Sequence, residues 1–393
     1  MDMYNKVYGK GKEFFEDKSC VDTSQEIAHQ PEMWQKLSVY LNKVKPEISS
    51  FMDKLGPLQN YRILLTGAGS SGFVGRTIAG FVAKAAGLHC EAIHTTDIVC
   101  SPETYLFADT PTLLISFGRS GNCPESVGAV EYARKVVKNL FEIAIVCDGT
   151  SKLASTARES SKGLLLVMPE GTNDKGFAMT SSVSCMLLAG FAALLHGEME
   201  KITKDINLLA GLMEKSLDDI AKAAELCAQW KYDRAWFIGS GPYTALAHEG
   251  ALKLMELTNG QVVAGHNNAA EFRHGPKTVL SPRTVTVHFI SGCEFTSRYD
   301  IDLLNELCGQ KSDNKIVAIS RGLDIAQVDL NITYHHEGFE ILAEVAAGIQ
   351  YLVFMQLMSM YTSIAIDVPT DNPSPSGLVN RVVKGVTIYP YPK

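Results

Sequence analysis

Short aliphatic runs alternate with longer amphipathic stretches along most of the chain. The runs at 61–66 (YRILLT), 112–116 (TLLIS), 143–147 (IAIVC) and 164–168 (LLLVM) have the length of strands, and helical stretches or loops separate them. Strands that alternate with helices build a parallel sheet with helices on both faces. The pattern therefore predicts an α/β fold.

The same pattern begins again in the second half, with apolar runs at 235–238, 285–290 and 315–319. Gly67-Ala68-Gly69 and Gly239-Ser240-Gly241 each stand between a predicted strand and a predicted helix, about 172 residues apart. A repeat of this length indicates duplicated α/β domains. We expect a helical segment at 1–58, in which Thr23 or Ser24 caps a helix. Two α/β domains follow at 59–210 and 211–365, with a helical bridge over 187–226. An extended tail is expected at 366–393.

Composition narrows the class of function. The 393 residues are 46% hydrophobic and 20% charged, which are ordinary globular values. The net charge of −7 offers no attraction to nucleic acid or to an anionic membrane. The first thirty residues do not resemble a signal peptide, no window holds 18 uncharged apolar residues, and the nine cysteines form no CxxC pair. We expect a cytoplasmic protein with reduced thiols and a small or protein partner.

The first glycine-rich turn carries hydroxyl groups. Gly67, Gly69 and Gly72 match G-x-G-x-x-G after a strand, so dinucleotide binding is one hypothesis, with an oxidoreductase as the function. Ser70 and Ser71 lie inside this turn, and hydroxyls with free N–H groups at a helix start also suit a phosphate monoester.

A second hydroxyl-rich loop follows the next strand and favours the phosphate. It spans 116–126 and holds Ser116, Arg119, Ser120, Cys123 and Ser126. Because adjacent parallel strands end side by side, donors from both loops can surround one dianion, as in a sugar phosphate. Any single serine here could instead be a turn or cap residue.

These loops resemble a known family. Together with the duplicated halves and the segments EGALKLMEL and EFRHGP, they are similar to SIS (sugar isomerase) domain proteins and to the isomerase half of glucosamine-6-phosphate synthase. The runs TSQEIAHQPEMW, LLISFGRSGNCPESV, DKGFAMTSS, FRHGPK and SGLVNRVVKGV most resemble the AgaS family of amino-sugar-phosphate deaminase/isomerases. The resemblance implies two tandem three-layer α/β/α SIS domains with parallel five-stranded, flavodoxin-like sheets.

Three charged residues on the second repeat's helix are candidates for catalysis. Glu249, Lys253 and Glu256 are spaced i, i+4 and i+7, which places them on one helix face. Such a face is usually a solvated row of ion pairs. A shift of a proton between C1 and C2 of a sugar needs one carboxylate beside both carbons. The resemblance implies that Glu256 is this base and that Glu249 and Lys253 place it.

The resemblance implies further roles. His274 would move a proton during ring opening from the neighbouring subunit, which implies a homodimer or higher homo-oligomer. Lys384 would polarise the sugar carbonyl or form a Schiff base, although such a tail lysine is often merely solvated. The serine loops would hold the phosphate through Ser70, Ser71, Ser116, Arg119, Ser120 and Cys123. The sugar would contact Gly69, Ala178, Met179 and Arg273. His266 has no assigned role.

The expected function follows from one difference between this sequence and the glucosamine-6-phosphate synthases. Only about 58 mostly helical residues precede the first predicted sheet, with Asp2 where the synthases have a nucleophilic cysteine, so we expect no ammonia-generating domain. Without channelled ammonia, the reaction runs toward release, from D-galactosamine 6-phosphate to D-tagatose 6-phosphate and ammonia. A neutral ketose/aldose phosphate isomerase and a non-catalytic sugar-phosphate-binding regulator are the alternatives. We expect neither a metal nor another cofactor, since Cys90 with His94 is the only ligand-like Cys/His spacing.

Overall fold

The computed structural model describes residues 3–310, 313–334, 337–383 and 385–392. Fourteen helices lie in these ranges: α1 Met3–Tyr8, α2 Lys12–Asp17, α3 Val21–Ala28, α4 Gln30–Leu55, α5 Ser70–Ala86, α6 Thr95–Cys100, α7 Pro102–Tyr105, α8 Pro124–Val136, α9 Lys152–Glu159, α10 Ser181–Leu194, α11 Met199–Ala228, α12 Tyr243–Leu257, α13 Glu294–Gly309 and α14 Ala343–Ala365. Ten strands accompany them in the same ranges: β1 Arg62–Thr66, β2 Cys90–Ala92, β3 Thr112–Gly118, β4 Leu140–Val146, β5 Gly163–Val167, β6 Arg234–Gly239, β7 Val263–Asn267, β8 Thr284–Phe289, β9 Lys315–Ser320 and β10 Leu330–Thr333.

The chain divides into two compact units, each with one sheet. The first-sheet unit comprises Glu32–Asp174, Ser181–Asn207 and Gly377–Lys393. The second-sheet unit comprises Met1–Pro31, Lys175–Thr180 and Leu208–Ser376. Each unit therefore combines segments that are distant along the chain.

The first sheet is parallel throughout, in the order β2-β1-β3-β4-β5. Every residue of β3 and β4 is buried, as expected for central strands covered on both faces. Helices α5 and α10 pack together, as do α6 and α8. The register pairs Thr66, the last residue of β1, with Ser116, two residues before the end of β3, so the loops after both strands leave the same edge of the sheet. This pair of strands is the point where the strand order reverses, and ligands bind at such points in open α/β sheets.

The second sheet repeats this arrangement. It is parallel, in the order β10-β9-β8-β6-β7, which places the first strand of the repeat between the second and the third, as in the first sheet. Helix α12 follows β6 as α5 follows β1, and it packs against the buried helix α14. The prediction of two parallel five-stranded α/β sheets is confirmed.

The N-terminal segment is helical, as predicted, but its cap differs from the predicted one. Helix α3 begins at Val21, so Thr23 and Ser24 lie inside it and do not cap it. The Asp371 carboxylate accepts the backbone N–H groups of Asp22 and Thr23 at 2.9 and 2.8 Å and the Thr23 hydroxyl at 2.6 Å. The cap comes from a carboxylate almost 350 residues away, which local sequence cannot reveal.

The predicted helical bridge consists of two helices. Every residue of α10 is buried, and the Asp174 carboxylate caps its start by accepting the backbone N–H groups of Ser181 and Ser182 at 3.1 and 3.0 Å. Both serine hydroxyls also donate to Asp174. Within the described ranges no single helix is long and apolar enough to cross a membrane, and only the bent pair Ser181–Leu194 with His196–Ala228 meets the length and composition requirements together.

Candidate active site

The charged row on α12 is buried. Gly239 precedes the helix, and a Cβ there would lie 2.9 Å from the Tyr243 Cβ, so only glycine allows the chain to turn from β6 into α12. Lys253 and Glu249 are each 1% exposed, and the Lys253 Nζ lies 3.6 Å from the Glu249 Oε1. The Nζ also donates to the Glu256 Oε2. Glu256 is 25% exposed, so of these carboxylates it is the one that solvent or a ligand reaches.

This burial distinguishes the row from a solvated helix face. Exposed i,i+4 ion pairs add little stability, but a buried charge is costly unless oppositely charged groups and hydrogen bonds surround it. On α12, one ammonium lies between two carboxylates on successive turns. The arrangement holds Glu256 in a fixed place with an ammonium beside one oxygen, which suits a carboxylate that takes and returns a proton.

The segment after β7 carries His274 at the surface. His274 is exposed and ends the short 3₁₀ turn Glu271–Arg273, and the positive φ of 119° at Gly275 redirects the chain after it. The neighbouring Arg273 is engaged within the second-sheet unit, where its Nε donates to Glu306 at 2.6 Å and its Nη2 to Asp302 at 2.9 Å. The sequence did not predict these contacts of Arg273.

The segment 175–180 carries the predicted sugar-contacting residues Ala178 and Met179. Ala178 is buried and Met179 is half-buried. The buried Glu26 carboxylate accepts the backbone N–H of Lys175 and, at 3.2 Å, that of Gly176. Through these hydrogen bonds Glu26 fixes this segment within the second-sheet unit.

The glycine-rich turn after β1 is held tightly in the first-sheet unit. A Cβ at Gly67 would lie 2.5 Å from the Ser71 backbone, and one at Gly72 would lie 2.3 Å from the His94 Nδ1. Gly69 adopts a positive φ of 54° at the N-cap of α5. Ser70 and Ser71 form the first turn of this 17-residue helix and are both 4% exposed. The turn thus places two hydroxyls at a helix N-terminus, where anions bind favourably.

The loop after β3 supplies the second set of donors. Ser116, predicted in the loop, lies inside β3 and is buried, whereas Ser120 lies in the loop and is half-buried. Cys123 occupies the N-cap position of α8, and burial, helped by the nearby Glu125, raises the pKa of its thiol. The thiol is therefore uncharged near neutral pH, so it does not repel a dianion.

The C-terminal tail contacts this loop. The buried Arg119 donates from Nη2 to the Arg381 carbonyl at 2.8 Å, and the Arg381 Nε donates to the Asp174 carbonyl at 3.0 Å. Tyr132 on α8 donates its hydroxyl to the Tyr389 carbonyl. Lys384 lies outside the described residues. The sequence did not single out Arg381, although it stands in the quoted run SGLVNRVVKGV.

The predicted residues therefore form two groups. The second-sheet unit holds Ala178, Met179, Glu249, Lys253, Glu256, Arg273 and His274, and the first-sheet unit holds Gly69, Ser70, Ser71, Ser116, Arg119, Ser120 and Cys123. Among the described residues, no group of three or more His, Cys, Asp or Glu could hold a metal ion. In the Cys90 and His94 pair, burial raises the pKa of the thiol to about 12, which disfavours the thiolate that a metal requires.

Comparisons with known proteins identify the family of the chain. The SIS domain family model matches residues 58–196. A protein named D-galactosamine-6-phosphate deaminase AgaS, from Shewanella sp. (strain ANA-3), is 38% identical over 374 residues, which cover 94% of this chain and 92% of that protein. A solved structure from Clostridium novyi, described as a candidate tagatose-6-phosphate ketose/aldose isomerase, has a TM-score of 0.93 and 36% identity and covers 98% of both chains.

A more distant relative accounts for the resemblance to the synthases. A glutamine–fructose-6-phosphate aminotransferase from Bradyrhizobium diazoefficiens is 24% identical, and the match covers 93% of this chain but 58% of that protein. The match at 38% identity, by contrast, covers more than nine tenths of both chains. The chain belongs to the AgaS family of SIS-domain proteins.

Proposed function

We propose that this protein converts D-galactosamine 6-phosphate into D-tagatose 6-phosphate and ammonia. The observation that carries the proposal is the buried Glu249–Lys253–Glu256 row on α12, in a chain whose AgaS relatives bear the name of this deaminase. Burying a row of charges costs stability, and a role in proton transfer accounts for its presence.

The proposed reaction is an internal proton shift followed by hydrolysis. After the ring opens, Glu256 removes the proton from C2 of the aldehyde, and the electrons move to the carbonyl oxygen at C1, which takes up a proton. Glu256 then returns its proton to C1, and the nitrogen at C2 becomes an imine. Water adds to that imine, and ammonia leaves as the C2 ketone forms. Lys253 holds Glu256 in place, and Glu249 balances the charge of Lys253.

The serine loops supply the phosphate site in this proposal. Ser70 and Ser71 at the start of α5, with Ser116, Ser120 and the uncharged Cys123, would donate hydrogen bonds to the dianion. Arg119 supplies positive charge, and its contact with Arg381 links the loop to the tail. These loops leave neighbouring strands at the point where the strand order reverses, which supports the assignment.

The remaining roles rest on the family resemblance and on exposure. We propose that His274, which is exposed in one chain, acts on the sugar of a neighbouring subunit in a homo-oligomer. Lys384 would polarise the sugar carbonyl. Gly69, Ala178, Met179 and Arg273 would line the sugar. The cytoplasm is the proposed compartment, because no oxidised cysteine pair occurs among the described residues and the substrate is a sugar phosphate.

The test is ammonia release by the purified full chain. Galactosamine 6-phosphate and glucosamine 6-phosphate are each supplied without added metal or NAD, and ammonia and ketose phosphate are measured together. We expect one equivalent of each product from the galactosamine epimer. Glu256→Gln should abolish both products, and Glu214→Gln, which changes an exposed helical glutamate in the same unit, should leave the rate unchanged. Unchanged turnover in Glu256→Gln would refute the assignment of the base.

A neutral-sugar isomerase is the second candidate function, because the Clostridium novyi relative is described in those terms. Both reactions use the same C2-to-C1 proton shift, so the α12 row suits either one. Interconversion of galactose 6-phosphate and tagatose 6-phosphate, with no ammonia from either amino sugar, would select the isomerase.

A further inference from the structure

The second repeat contains a modified version of the phosphate turn. Gly239 corresponds to Gly67, since a Cβ at either position would strike the residue four positions later, Ser71 after Gly67 and Tyr243 after Gly239. Gly241 has a φ of 60° and Gly69 a φ of 54°. The positions of Ser70 and Ser71 are taken by Pro242 and Tyr243, so both hydroxyl donors are missing. Proline also lacks a backbone N–H.

An internal carboxylate takes up the remaining donors of this turn. Asp300 on α13 is 3% exposed, and it accepts the Ser240 hydroxyl on one oxygen and the Ser291 N–H, at 3.0 Å, on the other. Ser240 follows β6 and Ser291 follows β8, the counterparts of the strands that carry the phosphate loops. The Ser240 oxygen in turn accepts the Ala269 N–H at 3.4 Å. A phosphate dianion beside Asp300 would be repelled and would lack donors.

A cavity of about 210 Å³ opens above this turn. Ser240, Gly241 and Asn268 line its polar side, and Phe295 and Tyr299 form an aromatic wall. The two aromatic side chains are 67% and 51% exposed, and their ring centroids are 5.6 Å apart. Cavities for drug-sized ligands measure roughly 300–1,000 Å³, so this one suits a molecule the size of a single sugar ring.

The free polar groups and the charges define the ligand further. In the described residues, the Asn268 Oδ1 accepts the Glu271 N–H at 2.9 Å, while the Asn268 Nδ2 and the hydroxyl of the lining Thr296 have no partner. Asp300 lies beneath the cavity and the exposed Glu271 is next to the lining residue Ala270. The exposed Glu294 beside Phe295 is neutralised by Arg298 at 2.6 Å. The surroundings are thus negative and favour an ammonium group.

We propose that this cavity is a second sugar site, which takes an unphosphorylated hexosamine. The apolar C–H face of the ring would stack on Phe295 and Tyr299, and the hydroxyls would bond to Asn268 and Thr296. The ammonium would be held by the field of Asp300 and Glu271. This site goes beyond the proposed reaction and does not depend on it.

The test is calorimetric titration of the full chain with galactosamine. Tagatose 6-phosphate, the product of the proposed reaction, is present at a saturating concentration so that it occupies the proposed phosphate site. Galactose and inorganic phosphate are titrated in parallel. We expect galactosamine to bind more tightly than galactose, and inorganic phosphate neither to bind at this cavity nor to compete. Phe295→Ala and Tyr299→Ala should each weaken galactosamine about three- to tenfold. Phe107→Ala, an exposed aromatic of the first-sheet unit, should have no effect.

Three results would overturn the site: no galactosamine binding at millimolar concentrations, the same affinity in Phe295→Ala and Tyr299→Ala as in the parent, or displacement by inorganic phosphate. Phe295 and Tyr299 are exposed, so their variants should fold, and retained thermal unfolding midpoints will show that they do. Ammonia release is measured separately on the same variants. A variant that loses galactosamine binding but still releases ammonia, or one that does the opposite, therefore separates this proposal from the proposed function.

Discussion

Replacement of Lys253 by methionine tests the charged row of α12. Methionine keeps most of the side-chain volume and removes the ammonium that contacts Glu256 and lies 3.6 Å from the Glu249 Oε1. Glu249 is 1% exposed, so the variant leaves its carboxylate buried without the Lys253 counter-ion. Removal of one partner of a buried ion pair costs about 3–5 kcal/mol. We expect a loss of this size in the stability of the second-sheet unit.

A double-mutant cycle isolates the electrostatic part of that loss. Lys253→Met with Glu249→Gln removes both charges, so the double variant should recover a large part of the stability that Lys253→Met loses, with a coupling energy of about 1–3 kcal/mol. Glu256→Gln combined with Lys253→Met should recover less, because Glu256 is 25% exposed and water screens it. Urea unfolding followed by amide exchange of α12 peptides reports the second-sheet unit by itself.

The counter-ion role of Lys253 is refuted if Lys253→Met costs less than about 1 kcal/mol, or if the double variant is no more stable than the single one. Either result would mean that the ammonium is not the counter-ion that makes Glu249 tolerable in the interior. Activity gives an independent readout. Ammonia release should fall in Lys253→Met, because Lys253 positions Glu256. Core variants with a similar loss of stability, such as Leu257→Ala, should keep their ammonia release.

Three further predictions concern the rest of the chain. Ser120→Ala should raise KM for the sugar phosphate about ten- to a hundredfold with little change in kcat, because it removes one hydrogen bond to a dianion, and steady-state kinetics checks this. Tyr132→Phe loses the bond to the Tyr389 carbonyl, so limited proteolysis should cut the tail about fivefold faster, whereas Tyr40→Phe should not change it. Burial lowers the pKa of His288 to about 3, so below about pH 6.5 this histidine takes up a proton in the unfolded chain but not in the folded one. The free energy of unfolding should therefore be about 2 kcal/mol lower at pH 5 than at pH 7. His288→Leu should remove this pH dependence, which urea titrations measure.

The central strands could be predicted because burial on both faces leaves a clear apolar signal. The predicted run at 112–116 lies inside β3 and that at 235–238 lies inside β6. The strands that pattern reading missed are edge strands with weak signals: β2 has three residues, and β7 reads VAGHN. In β7, Gly265 is required because a Cβ there would lie 2.3 Å from the Trp236 ring, a constraint that comes from tertiary packing.

The local parts of the candidate site were accessible from sequence, and the non-local parts were not. Hydroxyl-rich turns after two strands are a local feature, and the i, i+4, i+7 spacing correctly placed Glu249, Lys253 and Glu256 on one face of α12. Spacing could not show that Lys253 is buried, because burial depends on what packs against the helix. Likewise, the Asp371 cap of α3 and the Glu26 support of 175–180 join residues more than a hundred positions apart.

The two repeats carry different residues at equivalent positions of the turn and of the helix that follows it. With the offset that pairs Gly67 with Gly239, the counterparts of Glu249 and Lys253 on α5 are the buried Thr77 and Phe81, and the counterpart of Glu256 is the exposed Lys84. The first repeat therefore has uncharged side chains where the second has its two buried charges. The first repeat keeps two serines in its turn, whereas the second replaces them with Pro242 and Tyr243.

Under the proposed function, this difference would leave one phosphate site and one catalytic helix in each chain. A second dianion next to the α12 carboxylates would raise the cost of their charges, and Asp300 removes that conflict because it already occupies the donors of Ser240 and Ser291. A carboxylate held by the fold carries one negative charge where a bound phosphate would carry about two. On this proposal, the turn before α12 holds an internal carboxylate instead of a phosphate, which lowers the electrostatic cost of burying the charged row on that helix.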